Sequence, residues 1–172
     1  MNPLDTIDKA FAQSLGARYP VRLVGGFEEP LYLPATDDCV AEIRFRSDYP
    51  SSALHEVAHW CLAGARRRAL QDYGYWYEAD RGAKAQHAFE SVEARPQALE
   101  WVFSRAVGCA FRVSADNLSI GIGERFREMI RAEARIFTTK MPPDGLRFAK
   151  ALAKLTGHQD FLSTDHYLEL PR

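Results

Sequence analysis

The sequence predicts an α+β protein, a single domain in which a small N-terminal β-sheet packs with several helices. Two observations lead there: three short strand-like runs gather before residue 47, and apolar residues recur at helical spacing through most of the remaining chain. The length of 172 residues fits one domain with one core, 1–172, and no internal repeat, low-complexity tract or linker divides it.

Leu4, Ile7, Phe11 and Leu15 share one helical face, and Gly16 can end that helix. Candidate strands follow at Val21 to Val24, Leu31 to Leu33 and Glu42 to Arg46. Gly25-Gly26 separates the first two, and Pro34 bounds the second. Ile43 and Phe45 alternate with charged neighbours, which predicts one buried face. Tyr49-Pro50-Ser51-Ser52 reads as a turn with an N-capping serine, opening a helix from about Ala53 to Leu70. Residues Tyr73 to Gly82 are aromatic and irregular. A long helix from about Lys84 to Val107 contains Pro96, which should bend it or split it in two. Phe126, Met129, Ile130, Ala134 and Phe137 define a further helix, stopped by Pro142-Pro143. Leu146, Ala149, Leu152 and Leu155 define the last, ending near Gly157.

The net charge of -1 gives no sequence-wide electrostatic footprint for nucleic acid or an anionic membrane. Arg66-Arg67-Arg68 is a local basic run whose plain reading is a solvated helix end. The three cysteines, Cys39, Cys61 and Cys109, form no CxxC pair, so neither a disulfide framework nor a thiolate zinc cluster is expected. Cys61, Trp60 and Trp101 are expected in the core. The start of the chain lacks signal-peptide character and no apolar run reaches membrane-spanning length, which leads us to expect a cytoplasmic protein without a membrane partner.

The chemistry-bearing motif is His55-Glu56-Val57-Ala58-His59. Imidazoles at i and i+4 lie on one helix face, so their nitrogens can converge on a divalent ion. The apolar flanks Leu54, Val57, Ala58 and Leu62 would shield such a site. Two histidines do not close it, and a third protein ligand is expected, with positions left for water or substrate. Glu93 lies near the apolar side defined by Phe89, Val92, Pro96, Leu99 and Phe103, where a carboxylate is costly unless it is paired or bound to metal. Glu100 competes with it, and Glu90 suits a surface or outer contact. The set serves two chemistries. In thermolysin-like zinc hydrolases Glu56 would be the general base on a bound water. In non-haem Fe(II) oxygenases it would be a proton carrier, an orienter of a histidine, or a relic. Spacing does not choose between them.

The surroundings of the motif are more specific. Glu29-Pro30-Leu31-Tyr32-Leu33-Pro34-Ala35 forms one block. Ser52-Ala53-Leu54-His55-Glu56, Ala58-His59-Trp60-Cys61, Ala63-Gly64 and Gly74-Tyr75-Trp76-Tyr77 form a second. Phe89-Glu90, Val92-Glu93, Pro96-Gln97-Ala98-Leu99 and Trp101 form a third, with a weaker echo in Asp116-Asn117-Leu118. In order and spacing these resemble the bacterial elongation factor P hydroxylase family across roughly the first two thirds of the chain. After Tyr77 the family's Pro-Asp-Gly-Arg-like turn is replaced by Glu78-Ala79-Asp80-Arg81-Gly82.

The resemblance implies a non-haem metal-dependent hydroxylase with His55, His59 and Glu93 as ligands. Its fold would be similar to a small metal-dependent ribonuclease fold. Its substrate would be the lysine of elongation factor P that first receives a β-lysyl group. Hydroxylating an unactivated C–H bond needs a redox-active ion, so iron(II) with dioxygen as co-substrate is expected, and zinc fits only the hydrolase alternative. No 2-oxoglutarate signature occurs, and the electron source stays open. Tyr75, Trp76 and Tyr77, whose faces attract ammonium groups, and Arg81 are the candidate substrate contacts, although such aromatics also fill cores. The resemblance implies no direct nucleic-acid partner, and we expect a monomer.

Overall fold

The computed structural model describes residues 2–74, 83–114 and 123–171. Helix α1 (Pro3–Ser14) starts with Asn2, whose side-chain oxygen accepts from the Leu4 amide at 3.2 Å, and with Pro3 in the first turn, where its missing N–H costs nothing. Ile7, Ala10, Phe11 and Leu15 bury its inner face.

Three strands follow, β1 (Val21–Phe27), β2 (Leu31–Leu33) and β3 (Ala41–Arg46), in the order β1-β3-β2, with β1 parallel and β2 antiparallel to β3. Ala41, Ile43 and Phe45 are buried, as the alternation predicts. Gly25-Gly26 does not separate two strands. Strand β1 runs through both glycines with a register shift between Val24 and Phe27. The reason is steric: a side chain at residue 25 would collide with the Phe45 ring, and Gly26 has φ +93°.

Helix α2 (Pro50–Leu62) carries the histidine motif. It begins earlier and ends sooner than expected. Tyr49 is its N-cap and makes no side-chain capping bond, while the Ser52 hydroxyl accepts from the Arg46 amide at 2.9 Å and ties β3 to the helix. Ala63 and Gly64 adopt extended backbone, so a separate short helix α3 (Ala65–Arg68) follows.

Arg68 does not behave as part of a solvated run. Its guanidinium lies 3.4 Å from the Trp60 ring centroid, donates to the Trp60 carbonyl at 3.0 Å and pairs with Asp144 at 2.8 Å. Tyr19 donates its hydroxyl to the same carboxylate at 3.0 Å. Arg66 and Arg67 are exposed.

Helix α4 (Ala83–Val107) is the central element, with α2, α5 (Glu124–Phe137) and α6 (Pro143–Thr156) packed on it. It passes Pro96 as one continuous helix, where a break was one of the two expectations. Neighbouring helices fix both halves of α4, and the loss of one hydrogen bond is tolerated. Phe126, Ile130, Ala134 and Phe137 bury one face of α5. In α6 the buried residues are Phe148, Ala149, Leu152 and Ala153, and Gly157 caps it at φ +87°. Trp60, Trp101 and Cys61 are in the core as expected. No helix among the described residues is long and apolar enough to cross a membrane.

Asp144→Ala should leave the Arg68 guanidinium half-buried without its carboxylate. A loss of about 2–3 kcal/mol is expected, read as a lowered urea midpoint with an unchanged slope.

Candidate metal centre

Helical geometry sets the site. His55 and His59 sit one turn apart on α2, and their Nε2 atoms face each other at 3.0 Å. Helix α4 crosses this face and supplies Glu93. Its Oε2 lies 3.4 Å from His55 Nε2, and its Oε1 lies 3.4 Å from His59 Nε2. Ligand atoms bound at about 2.1 Å to one ion, at angles from 90° to tetrahedral, lie about 3.0–3.4 Å apart. The three side chains therefore have the spacing of a facial metal-binding set.

Glu100 takes a different position from the one expected of a third ligand. Its Oε2 lies 2.9 Å from His55 Nδ1, on the far side of the ring from Glu93. A carboxylate there accepts an Nδ1–H and turns the Nε2 lone pair toward the centre. Both carboxylates are buried, Glu93 at 4% and Glu100 at 5% exposure, where neither would sit without a partner. Glu90 is half-buried and accepts from the Gln86 amide of the same helix at 3.4 Å.

The electrostatics show what the site favours. Burial opposes charge on His55, but hydrogen bonds to Glu100 and Glu93 outweigh it and raise its pKa well above the ordinary value. Burial likewise works against the Glu93 carboxylate, but the His59 charge and hydrogen bonds to both histidines hold its pKa far below the carboxylate range. Burial raises Glu100 and Glu56. The arrangement stabilises positive charge between two imidazoles and a carboxylate, which a divalent ion supplies as well as protons do.

His55, Glu56, Glu93 and Glu100 all line one cavity of ≈ 680 Å³, within the range of small-ligand sites. Among the described residues the Glu56 carboxylate carries no hydrogen bond.

Two aromatic residues that the motif does not signal lie beside His59, Tyr73 facing its ring and Tyr32 stacked behind Tyr73. The Tyr73 ring is parallel to His59 within 10°, at 6.1 Å, and stacks on Tyr32 at 4.4 Å. Asp72 and Tyr73 both have positive φ, 46° and 57°, and Asp72 Oδ1 accepts from the Tyr32 amide at 2.8 Å to hold that turn against β2. In the sequence Tyr32 stands in the first block and Tyr73 opens the aromatic run 73–82, where such residues are expected either to meet an ammonium group or to fill the core; nothing there signals their stacking on each other. Tyr75, Trp76, Tyr77 and Arg81 lie outside the described residues, as do Glu78, Asp80 and Asp116-Asn117-Leu118.

Among the described residues the buried Tyr73 hydroxyl has no hydrogen-bond partner. Tyr73→Phe removes that unpaired group and keeps the stack. It should stabilise the protein by about 1 kcal/mol, seen as a melting temperature about 2–4 °C higher.

Comparison with known proteins accords with this geometry. The family model described as elongation factor P hydroxylase matches residues 10–167. A protein of Haemophilus influenzae named elongation factor P lysine hydroxylase is 41% identical over 162 residues, which cover 91% of each chain. All four residues of the centre and both supporting aromatic residues fall within the matched span, and the chain belongs to the elongation factor P hydroxylase family.

Proposed function

We propose that this protein hydroxylates the β-lysylated lysine of elongation factor P, using iron(II) held by His55, His59 and Glu93. In this reading it acts as a cytoplasmic monomer on a protein side chain, without contacting nucleic acid or membrane. The observation that carries the reading is the convergence of His55 Nε2, His59 Nε2 and the Glu93 carboxylate beside a cavity large enough for a long side chain. Two histidines and one carboxylate leave several positions of an iron ion open. Iron(II) so held would supply the activation of dioxygen that an unactivated C–H bond requires and that zinc does not offer.

The protein's own groups then have separate tasks. Glu100 holds His55 in the tautomer and orientation that present Nε2. The Tyr73–Tyr32 stack fixes the plane of the His59 ring. Glu56 lines the cavity with a carboxylate engaged by no hydrogen bond among the described residues, and we assign it to the substrate's ammonium group or to a proton passing through the cavity. Tyr75, Trp76, Tyr77 and Arg81 are assigned to the substrate side on the sequence alone. The family match gives no support to a zinc peptidase or nuclease using Glu56 as base.

Incubation with iron(II), dioxygen, a reductant and lysylated elongation factor P should add the mass of one oxygen atom to the substrate. His55→Ala and Glu93→Ala should abolish the gain. Peptide hydrolysis dependent on Glu56, with no oxygen gain, would reject the proposal. Glu100→Gln keeps all three ligands and should weaken metal affinity about 10–100-fold, measured by anaerobic titration.

A further inference from the structure

The stripe of α4 that carries Glu93 and Glu100 also carries Gln97, one turn after the first and almost one turn before the second. Gln97 is 2% exposed, and although it is among the residues that line the cavity with His55, Glu56, Glu93 and Glu100, both ends of its amide are engaged by backbone. Its Nε2 donates to the Ser114 carbonyl at 2.7 Å, and its Oε1 accepts from the Ser114 amide at 3.0 Å. One side chain thus satisfies both backbone groups of one residue, as a neighbouring strand would. Among the described residues no strand pairs with it. Residues 109–114 have no regular secondary structure.

The path of the chain explains why such a tie is needed. Helix α4 ends at Val107, and Gly108 turns the chain at φ +82°, a conformation that L side chains rarely adopt. Phe111 then stacks on Trp101 of the same helix, with ring centroids 5.5 Å apart and planes within 12°. The segment therefore doubles back along α4, and Gln97 holds it at Ser114. Ala110, Arg112, Val113 and Ser114 all line the cavity that contains His55, Glu56, Glu93 and Glu100. A wall of irregular backbone keeps its shape only if its polar groups are paired. Here the pairing comes from the helix that carries the centre.

We propose that Gln97 is a positioning residue for substrate recognition: it fixes the 110–114 wall of the cavity at a set distance from the metal centre, so that the wall is ordered before the substrate side chain enters. This rests on the protein-hydroxylase reading for the identity of the substrate, but it concerns binding rather than chemistry. Without the clamp, ordering of the wall must be completed at each binding event, which weakens affinity and leaves the ligand set untouched.

The test compares wild type with Gln97→Met, similar in size but lacking the amide, and with Gln97→Glu, which retains an acceptor for the Ser114 amide but not the amide donor. Titration calorimetry gives the Kd for lysylated elongation factor P, anaerobic iron(II) titration gives metal affinity, and hydrogen exchange reads the Ser114 amide. The expected result for Gln97→Met is faster Ser114 exchange, Kd for the protein raised about tenfold, and unchanged iron(II) affinity. Gln97→Glu should also speed Ser114 exchange and raise the Kd, and these two readouts decide the question if the Met variant does not fold; its added carboxylate lies in the cavity of the ligands, so iron(II) affinity is compared for the Met variant alone. An unchanged Kd despite faster exchange would overturn the inference, as would a parallel loss of iron(II) affinity, which would put Gln97 at work on the ligands. A wild type that binds elongation factor P but adds no oxygen overturns the functional reading alone. A wild type that does not bind it overturns both.

Discussion

The packing of α2 against α4 is the constraint on which the centre depends. Two histidines and two glutamates meet in the region between these helices, flanked by Leu54, Val57, Ala58, Ala94, Ala98 and Leu99, all of them at most 1% exposed. Carboxylates in such surroundings are expensive unless they are matched by positive charge and hydrogen bonds. The matching here is divided by side: Glu93 faces the space between the Nε2 atoms, and Glu100 faces the outer nitrogen of His55. Neither helix could satisfy its charged groups alone, so assembly of the helix pair and assembly of the centre are one event.

The sheet and the C-terminal helices hold that pair in place. Strand β3 leads into α2 through the bond between the Arg46 amide and Ser52. Tyr32 on β2 stacks on the ring of Tyr73, which in turn faces His59, so the sheet edge backs the His59 face through one intervening ring. At the other end of α2, Arg68 covers Trp60 and joins it to Asp144 at the start of α6 and to Tyr19 after α1. The strained turn at Asp72 and Tyr73 is held by a hydrogen bond from the sheet, which offsets its backbone cost.

Periodicity made much of this legible. The spacing of His55 and His59 names a metal face, the alternation around Ile43 gives the buried side of β3, and the apolar recurrence outlines α1, α4, α5 and α6 in the sequence. Local steric detail was not legible. Gly25-Gly26 reads as a turn until Phe45 is seen lying across it, and the extended backbone at Ala63-Gly64 interrupts an otherwise helical pattern. The choice between Glu93 and Glu100 was also hidden, for a plain reason. Seven residues make nearly two full turns, so both lie on one stripe, and only the height of α2 alongside α4 decides which meets the Nε2 atoms. Gln97 was hidden likewise, because its partner is backbone, and backbone carries no residue code.

Pro96 lies between the two carboxylates. It has no N–H to offer, so the Val92 carbonyl, one turn back, lacks its partner within the helix. The stretch of α4 bearing Glu93 is therefore joined to the stretch bearing Glu100 by its softest link. The packing of α2, α5 and α6 on this helix makes up for the missing rung, so the spacing of the two carboxylates is a property of the assembled bundle rather than of α4 by itself.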